Sequence, residues 1–205
     1  MDKVLAIWKP KDMTSFDVVK KIQKFIPNEK IGHCGTLDPF AQGILIICIG
    51  KYTKDVAHYM NHKKKYIATI KLGSETDTLD LTGKIIKESN KKNNFNENNI
   101  IKILNKFKGT INQIPPYFSA KKINGIKLYT FARKDIFIRK KSIPVQVHDI
   151  NLLSFSSNKL IIDIECGKGT YIRSLGRDIA YSLNTYGYLH DLSRVCIGEF
   201  NENNS

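Results

Sequence analysis

Short apolar runs divide this chain into strand-like segments separated by polar turns. Residues 44–49 form a continuous apolar run typical of a buried strand, and residues 66–72 alternate so that Tyr66, Ala68, Ile70 and Leu72 share one face. Strands are predicted at residues 4–8, 44–49, 66–72, 84–88, 145–155, 159–166 and 195–200.

Helices are predicted where apolar residues recur at spacings of three and four. The predicted helices are one capped by Ser15 with Val18, Ile22, Phe25 and Ile26 on its apolar face, one over residues 53–61, one over residues 100–107, and one after residues 167–170 with Ile172, Leu175, Ile179 and Leu183 inside. Strands in hairpins outnumber helices and no regular βαβ alternation appears, so we expect an α+β fold, a largely antiparallel mixed sheet flanked by helices and loops.

Composition adds a candidate partner. Lysine and arginine number 33 against 19 acidic residues in a chain of 205, a formal net charge of +14. A surplus of this size suits a polyanion such as nucleic acid, because phosphate neutralisation releases counterions. The alternative is compositional drift, since lysine, asparagine and isoleucine are abundant together.

The cysteines are scattered and form no metal-binding pattern. Cys34, Cys48, Cys166 and Cys196 include no CxxC pair and no histidine at metal spacing. This argues against a zinc site and a disulfide framework, and it fits a reducing compartment. No leader peptide and no run of transmembrane length is found, so a cytoplasmic protein is expected, with an organelle as the alternative.

The stretch of residues 32–43, GHCGTLDPFAQG, contains the strongest candidate for chemistry. Three glycines allow unusual backbone conformations, and Pro39 restricts the chain just after Asp38. Such a loop, leading directly into a buried strand, holds its carboxylate in place. Taken alone, Asp-Pro is also a common turn opener.

The order Gly-His-x-Gly-x-Leu-Asp-Pro-x-Ala-x-Gly-x-Leu in residues 32–45 resembles the signature of the TruB family of tRNA pseudouridine synthases, with every fixed position filled. The likeness extends over about residues 4–200. It implies a catalytic domain over residues 1–200, with an RNA-gripping insertion at residues 115–140 and a polar tail at residues 201–205. No C-terminal RNA-binding domain of the PUA kind, usual in bacterial relatives, is expected in this chain.

The resemblance also implies site residues. Asp38 corresponds to the catalytic aspartate, and Arg173, in the motif GKGTYIR, to its partner, which would lower the pKa of the carboxyl group. Tyr66 corresponds to the tyrosine that stacks on the target uracil. Tyr171 and Leu192 are similar to residues that line the pocket.

Further residues are assigned in the same way. His33 would contact RNA in the gap left by the flipped nucleotide, and Lys9, with Pro10, would support the pocket. Asp80, in the block T-D-T-x-D-x-x-G, would lie near the active site. The basic and aromatic residues 117–133 resemble the insertion that closes over the RNA stem-loop. Ser193-Arg194 replaces a common Arg-Arg pair, which would remove one phosphate contact.

The function implied is isomerisation of the uridine at position 55 in the T-loop of tRNA, acting on a flipped-out base without metal or other cofactor. The expected partner is tRNA, with no membrane, no obligatory protein partner and a monomeric chain. Two alternatives stay open: a non-catalytic module that binds and folds tRNA, and an enzyme acting on a guide-selected uridine within a ribonucleoprotein.

Overall fold

A nine-stranded mixed sheet forms the centre of the protein. The structure, a computed structural model, describes residues 1–89, 95–119, 122–123, 126–127, 130 and 140–202. The strands are β1 (Lys3–Lys9), β2 (Ile31–Cys34), β3 (Gln42–Ile49), β4 (Lys64–Leu72), β5 (Ser74–Thr76), β6 (Ile85–Glu88), β7 (Gly109–Gln113), β8 (Lys122–Ile123), β9 (Ile126–Lys127), β10 (Ile143–Ser156), β11 (Lys159–Cys166), β12 (Gly187–Ile197) and β13 (Phe200–Asn201). The helices are α1 (Ser15–Gln23), α2 (Val56–Asn61), α3 (Glu97–Asn105) and α4 (Ile172–Ser182), with a 3₁₀ segment over Gly50–Asp55.

The sheet has the strand order β1-β3-β12-β4-β11-β10-β7, with β2 paired to β3 and β13 paired to β12. Every described pairing in it is antiparallel except β3 with β12, where Ser193 lies opposite Gln42 and Arg194 opposite Gly43. Strands β5 and β6 form a separate hairpin, as do β8 and β9. The predicted α+β class with a largely antiparallel sheet is confirmed.

The main core lies between the central strands and helices α3 and α4. Strand β4 buries alternate residues, and Ile70 and Leu189 both pack against Gly176 of α4, where an added methyl group would lie 3.2 Å from Leu189. The predicted buried face of residues 66–72 is confirmed. A second apolar cluster holds α1 against β1 and β3 through Val18, Val19 and Leu45.

The first helix begins with Thr14 as its cap. The Thr14 hydroxyl accepts a hydrogen bond from the Asp17 amide at 3.0 Å, and the Asp17 carboxylate accepts one from the Thr14 amide at 3.1 Å. This capping box satisfies two free amides, so the prediction that Ser15 caps the helix is wrong by one residue. Phe25 lies beyond the helix and is exposed, which also corrects its assignment to the apolar face.

Other boundaries differ from the sequence patterns. Helix α3 begins at Glu97, three residues earlier than predicted, because Asn96 supplies a cap by accepting from the Asn99 amide. The last major strand begins at Gly187, not at residue 195, and the chain turns at Gly198 before β13. Parts of the predicted connector at 89–99, of the predicted insertion at 115–140 and of the polar tail lie outside the described residues.

Candidate active site

The loop between β2 and β3 carries Asp38 and is held by backbone hydrogen bonds on both sides. The Ser15 hydroxyl accepts from the Leu37 amide at 3.0 Å, and the Asp12 amide donates to the Pro39 carbonyl at 2.8 Å. Within the loop, the Ala41 amide donates to the Asp38 carbonyl at 3.1 Å. The start of α1 therefore fixes the backbone around Asp38.

Arg173 grips the Asp38 carboxylate with two nitrogens. Its Nε lies 2.9 Å from Oδ2, and its Nη2 donates to Oδ1 at 3.1 Å. Arg173 is buried in the first turn of α4, whereas the Asp38 side chain keeps 31% of its surface exposed. A two-pronged contact of this kind fixes the orientation of a carboxylate as well as its charge. The structure thus brings together the two residues that the sequence motifs paired.

The rest of the Arg173 guanidinium is also occupied. Nη1 donates to the Thr78 carbonyl at 2.9 Å and lies 3.4 Å from Asp80 Oδ2, and Nη2 donates to the Phe118 carbonyl at 2.8 Å. Asp80 is itself held, because its Oδ1 accepts from the Thr82 amide and hydroxyl at 3.0 and 2.6 Å. Asp80 therefore lies beside the site and positions Arg173.

Two opposing effects act on the acidity of Asp38. Burial raises the pKa of its carboxyl group, the Arg173 charge lowers it, and the nearby Asp80 raises it again. The net direction is upward, so the expectation that Arg173 alone would leave a lowered pKa is incomplete. Arg173 offsets part of the cost of burying a carboxylate.

A buried apolar cluster lies beside this ion pair. Tyr66, Leu192, Leu37 and Ile172 belong to one buried cluster. Burial raises the pKa of Tyr66, which keeps the phenol protonated at neutral pH. These side chains supply the aromatic and aliphatic surface that a planar base requires.

Tyr171 directly precedes α4, the helix that carries Arg173. Its amide donates to Gln113 Oε1 at 2.8 Å, and Gln113 Nε2 donates to its carbonyl at 3.1 Å. Burial raises the pKa of its phenol, and the charge of Arg173 opposes that rise. Since Gln113 is fully buried, β7 fixes the backbone that carries both Tyr171 and Arg173.

His33 lies on β2 and is partly buried. Burial and the charge of Arg194 lower its pKa, which favours the neutral imidazole. Its Nδ1 is buried and makes no hydrogen bond within the described residues. A neutral ring with a free nitrogen is compatible with the predicted contact to a nucleotide, which stays a prediction.

Lys9 lies under the Asp38 loop. Its side chain is fully buried, and Nζ donates to the carbonyls of Met13 and Ala41 at 2.6 and 2.7 Å and lies within 3.4 Å of those of Pro10 and Pro39. Burial lowers its pKa to about 8. Lys9 ties the segment before α1 to the Asp38 loop, which is compatible with the expected support of the pocket, and its assignment to substrate binding stays a prediction.

Arg194 is a site residue that sequence reasoning missed. It is buried, its Nε donates to the Ile44 carbonyl at 2.7 Å, and its Nη2 donates to the Gly35 carbonyl at 3.2 Å. Burial raises the pKa of Tyr66, and the charge of Arg194 opposes that rise. Arg194 is 1% exposed, and the expectation that Ser193, in place of an arginine, removes one phosphate contact stays a prediction. Its place opposite Tyr66 in the β12–β4 register could not be predicted, because β12 itself was not predicted there.

Two further observations bear on the class of chemistry. Among the residues that the structure describes, no three His, Cys, Asp or Glu side chains come together so that they could hold a metal ion. In the same part of the chain, none of the helices combines the length and apolar character that a membrane crossing needs.

The arrangement is suited to nucleophilic chemistry. A carboxylate is presented at a partly open position, aimed by a buried arginine, next to an apolar cluster that includes Tyr66. An oriented side-chain carboxylate can form a covalent bond to a substrate carbon and release it later.

Comparisons with known proteins identify the family of this chain. Residues 22–172 match the model of the TruB family pseudouridylate synthase N-terminal domain. The chain is 46% identical over 201 residues to tRNA pseudouridine synthase B of Clostridium acetobutylicum, covering 98% of this chain and 69% of the relative. It is 44% identical over 200 residues to the protein of the same name from Fusobacterium nucleatum, again covering 98% and 69%.

Solved structures share the fold. The chain matches a protein of a Cbf5-Nop10-Gar1 complex with a TM-score of 0.74 and 28% identity, over 97% of this chain and 50% of that one. A chain of an H/ACA RNP bound to a substrate RNA containing 2'-deoxyuridine gives a TM-score of 0.70 and 26% identity, over 97% and 48%. This protein thus spans about half the length of these structural neighbours.

Proposed function

The chain belongs to the TruB family of pseudouridylate synthases and is an isomerase, and we propose that it converts the uridine at position 55 in the T-loop of tRNA to pseudouridine with Asp38 as nucleophile. Synthesis of pseudouridine in tRNA follows from its relatives, which are named for that activity and match it over nearly its whole length. The position in the T-loop and the role of Asp38 as nucleophile are what we propose beyond the activity for which these relatives are named.

The observation that carries the proposal is the contact between Asp38 and Arg173 beside the apolar cluster of Tyr66. Conversion of uridine to pseudouridine breaks the C–N glycosidic bond, turns the uracil and joins it to the sugar through carbon. The proton lost from that carbon balances the one gained by nitrogen, so no other reagent is consumed. The carboxylate could bond transiently either to the sugar C1′ or to the uracil C6. Both routes are compatible with these bond changes.

The surrounding residues take roles that their positions support. The uridine must leave its stack, which costs a few kcal/mol, and Tyr66 and Leu192 provide the buried surface that replaces the lost stacking. Tyr171 borders the entrance, and His33 would contact the RNA beside the extruded nucleotide. Residues 117–133, largely outside the described part, would close over the stem-loop.

We also propose that the chain acts as a monomer without a protein partner. The structural neighbours were determined as complexes with other proteins or RNA, as their names state. The buried site here is nevertheless built from side chains of this one chain: Asp38, Arg173, Tyr66 and Arg194. The proposal requires that the purified chain needs only tRNA.

Asp38→Asn tests the nucleophile. The amide keeps the shape of the side chain and can still accept from Arg173, so tRNA affinity should stay within about threefold of wild type, while pseudouridine formation should fall below detection, because an amide is a poor nucleophile. Binding is measured by fluorescence anisotropy, and product by mass spectrometry of nuclease digests. Turnover near the wild-type rate would remove Asp38 from its role.

A further inference from the structure

Helix α1 presents an aromatic ring and two lysines along its solvent side. Phe16 is 59% exposed, and the Lys20 ammonium lies 4.9 Å from the centre of its ring. Lys24, the C-cap, is exposed one further turn along. Residues four apart lie above one another on a helix, so Phe16, Lys20 and Lys24 form a single stripe, here called the α1 stripe.

The α1 stripe begins beside the loop that carries Asp38. Ser15, the neighbour of Phe16, is bonded to the backbone of Leu37, and Asp12 is bonded to that of Pro39. The capping box between Thr14 and Asp17 fixes the first turn. The ring of Phe16 is therefore carried on a rigid backbone next to the active site.

The lysines of the α1 stripe have no ion-pair partner among the described residues. No carboxylate among the described residues lies within 4.0 Å of Lys20 or Lys24. The nearest acid along the helix, Asp17, uses its carboxylate to accept from Thr14. An exposed ring followed by two lysines without an ion-pair partner among the described residues matches the way in which proteins hold unpaired nucleic acid, with bases stacked on rings and phosphates on cations.

We propose that the α1 stripe binds the RNA strand next to the target uridine, with Phe16 stacked on an unpaired base and Lys20 and Lys24 on successive stretches of backbone. The lysines are about 6 Å apart along the helix axis, one turn at 1.5 Å per residue. The net charge of +14 favours an acidic partner, and the proposed function supplies RNA as that partner. The inference rests on the proposed function in taking RNA as the substrate, and it adds a binding track outside the pocket.

The first test replaces the aromatic ring. Phe16→Ala should weaken binding of an unmodified tRNA transcript by about tenfold, within the roughly 1–3 kcal/mol of a base–aromatic stack, whereas Phe16→Tyr should bind within about twofold of wild type because the stacking face is kept. Phe25→Ala is the matched control. Phe25 is 85% exposed and lies beyond the C-terminus of α1, outside the α1 stripe.

The second test removes the charges. The double variant Lys20→Ala/Lys24→Ala should reduce the slope of log Kd against log salt concentration by about 1 for each lysine. The control is Lys102→Ala/Lys106→Ala, an exposed pair on α3 with the same spacing and the same position at the C-cap. Circular dichroism and Tm confirm that each variant folds.

The outcomes are separable from those of the proposed function. If Phe16→Ala binds as Phe25→Ala does, or if the two lysine pairs change the slope equally, the α1 stripe is not an RNA track, and a protein surface becomes the alternative occupant. If wild type binds tRNA but makes no pseudouridine, the proposed function fails while the affinities still decide the role of the stripe.

Discussion

Arg173 does more than neutralise Asp38. It bonds to both carboxylate oxygens and to the carbonyls of Thr78 and Phe118, so four contacts set the plane of its guanidinium. Two other buried cations, Lys9 and Arg194, donate only to backbone carbonyls among the described residues. Three buried cations therefore contact the Asp38 loop and fix the path of its backbone.

Arg173→Lys is predicted to lower kcat by about a hundredfold or more, because a single ammonium cannot reproduce the two-pronged contact and a small misplacement has a cost of this order. Burial raises the pKa of Asp38 and Arg173 opposes that rise. A less effective cation leaves the pKa higher, so the carboxylate becomes protonated at a higher pH. The acidic limb of the kcat–pH profile should therefore move upward in pH, as measured by single-turnover rates across the acidic range. A limb that moved downward, or an unchanged kcat, would contradict the role of Arg173.

Among the elements, the junction of β3 with β12 decides where the Asp38 loop ends. Gly43 begins the buried part of β3 with φ of +123°, and a methyl group built on it would lie 2.2 Å from the Arg194 carbonyl oxygen. Only a residue without Cβ allows the two backbones to approach so closely. The parallel pairing of β3 and β12 then places Arg194 under the loop.

Gly43→Ala should lower the free energy of unfolding by about 3 kcal/mol or more, since backbone strain and a main-chain clash add. Gly73→Ala is the control, because Gly73 also has positive φ, +99°, yet nothing lies within 4 Å of the added methyl group. The control should lose about 1–2 kcal/mol. Urea unfolding of both variants makes the comparison. Equal losses would mean that close packing against Arg194 contributes nothing.

At the scale of the molecule, the positive charge and the placement of the site act together. A chain with a formal net charge of +14 attracts tRNA from a distance. The described site offers few fixed cations for phosphates, since Arg173, Arg194 and Lys9 are all buried. Affinity must then come from exposed lysines such as those of the α1 stripe.

The affinity for tRNA should consequently fall by about 10³-fold between roughly 50 and 200 mM salt, the loss expected for about six phosphate contacts. Kd is measured by anisotropy at constant pH across that range. A change smaller than about tenfold would show that binding depends mainly on contacts other than phosphate.

The sequence alone predicts the parts of this site that are local. The spacing of residues 32–43 marks the Asp38 loop, the alternation of residues 66–72 marks the buried face of Tyr66, and the run after Gly167 marks the helix of Arg173. Their convergence follows from the family resemblance, which pairs the two motifs.

What the sequence does not show depends on distant strands. The patterns of β12 are interrupted by His190 and Asp191, and register shifts lie between Leu189 and Asp191 and between Arg194 and Cys196, so period-two reasoning fails there. The burial of Lys9 and Arg194 is equally hidden, because both bond to carbonyls that only the folded chain brings near. From the sequence alone, a lysine beside a proline is expected to be exposed, because two of the carbonyls that it bonds are distant in the chain.

The central claim is that this chain alone isomerises a T-loop uridine. The most direct test incubates the purified protein with an unmodified tRNA transcript and maps pseudouridine by primer extension after carbodiimide treatment. We expect one strong primer-extension stop at the T-loop uridine, and no stop when Asp38→Asn replaces the wild type. Measurable tRNA binding without any stop would contradict it and favour a tRNA-folding module, and a stop elsewhere would keep the chemistry but overturn the proposed position.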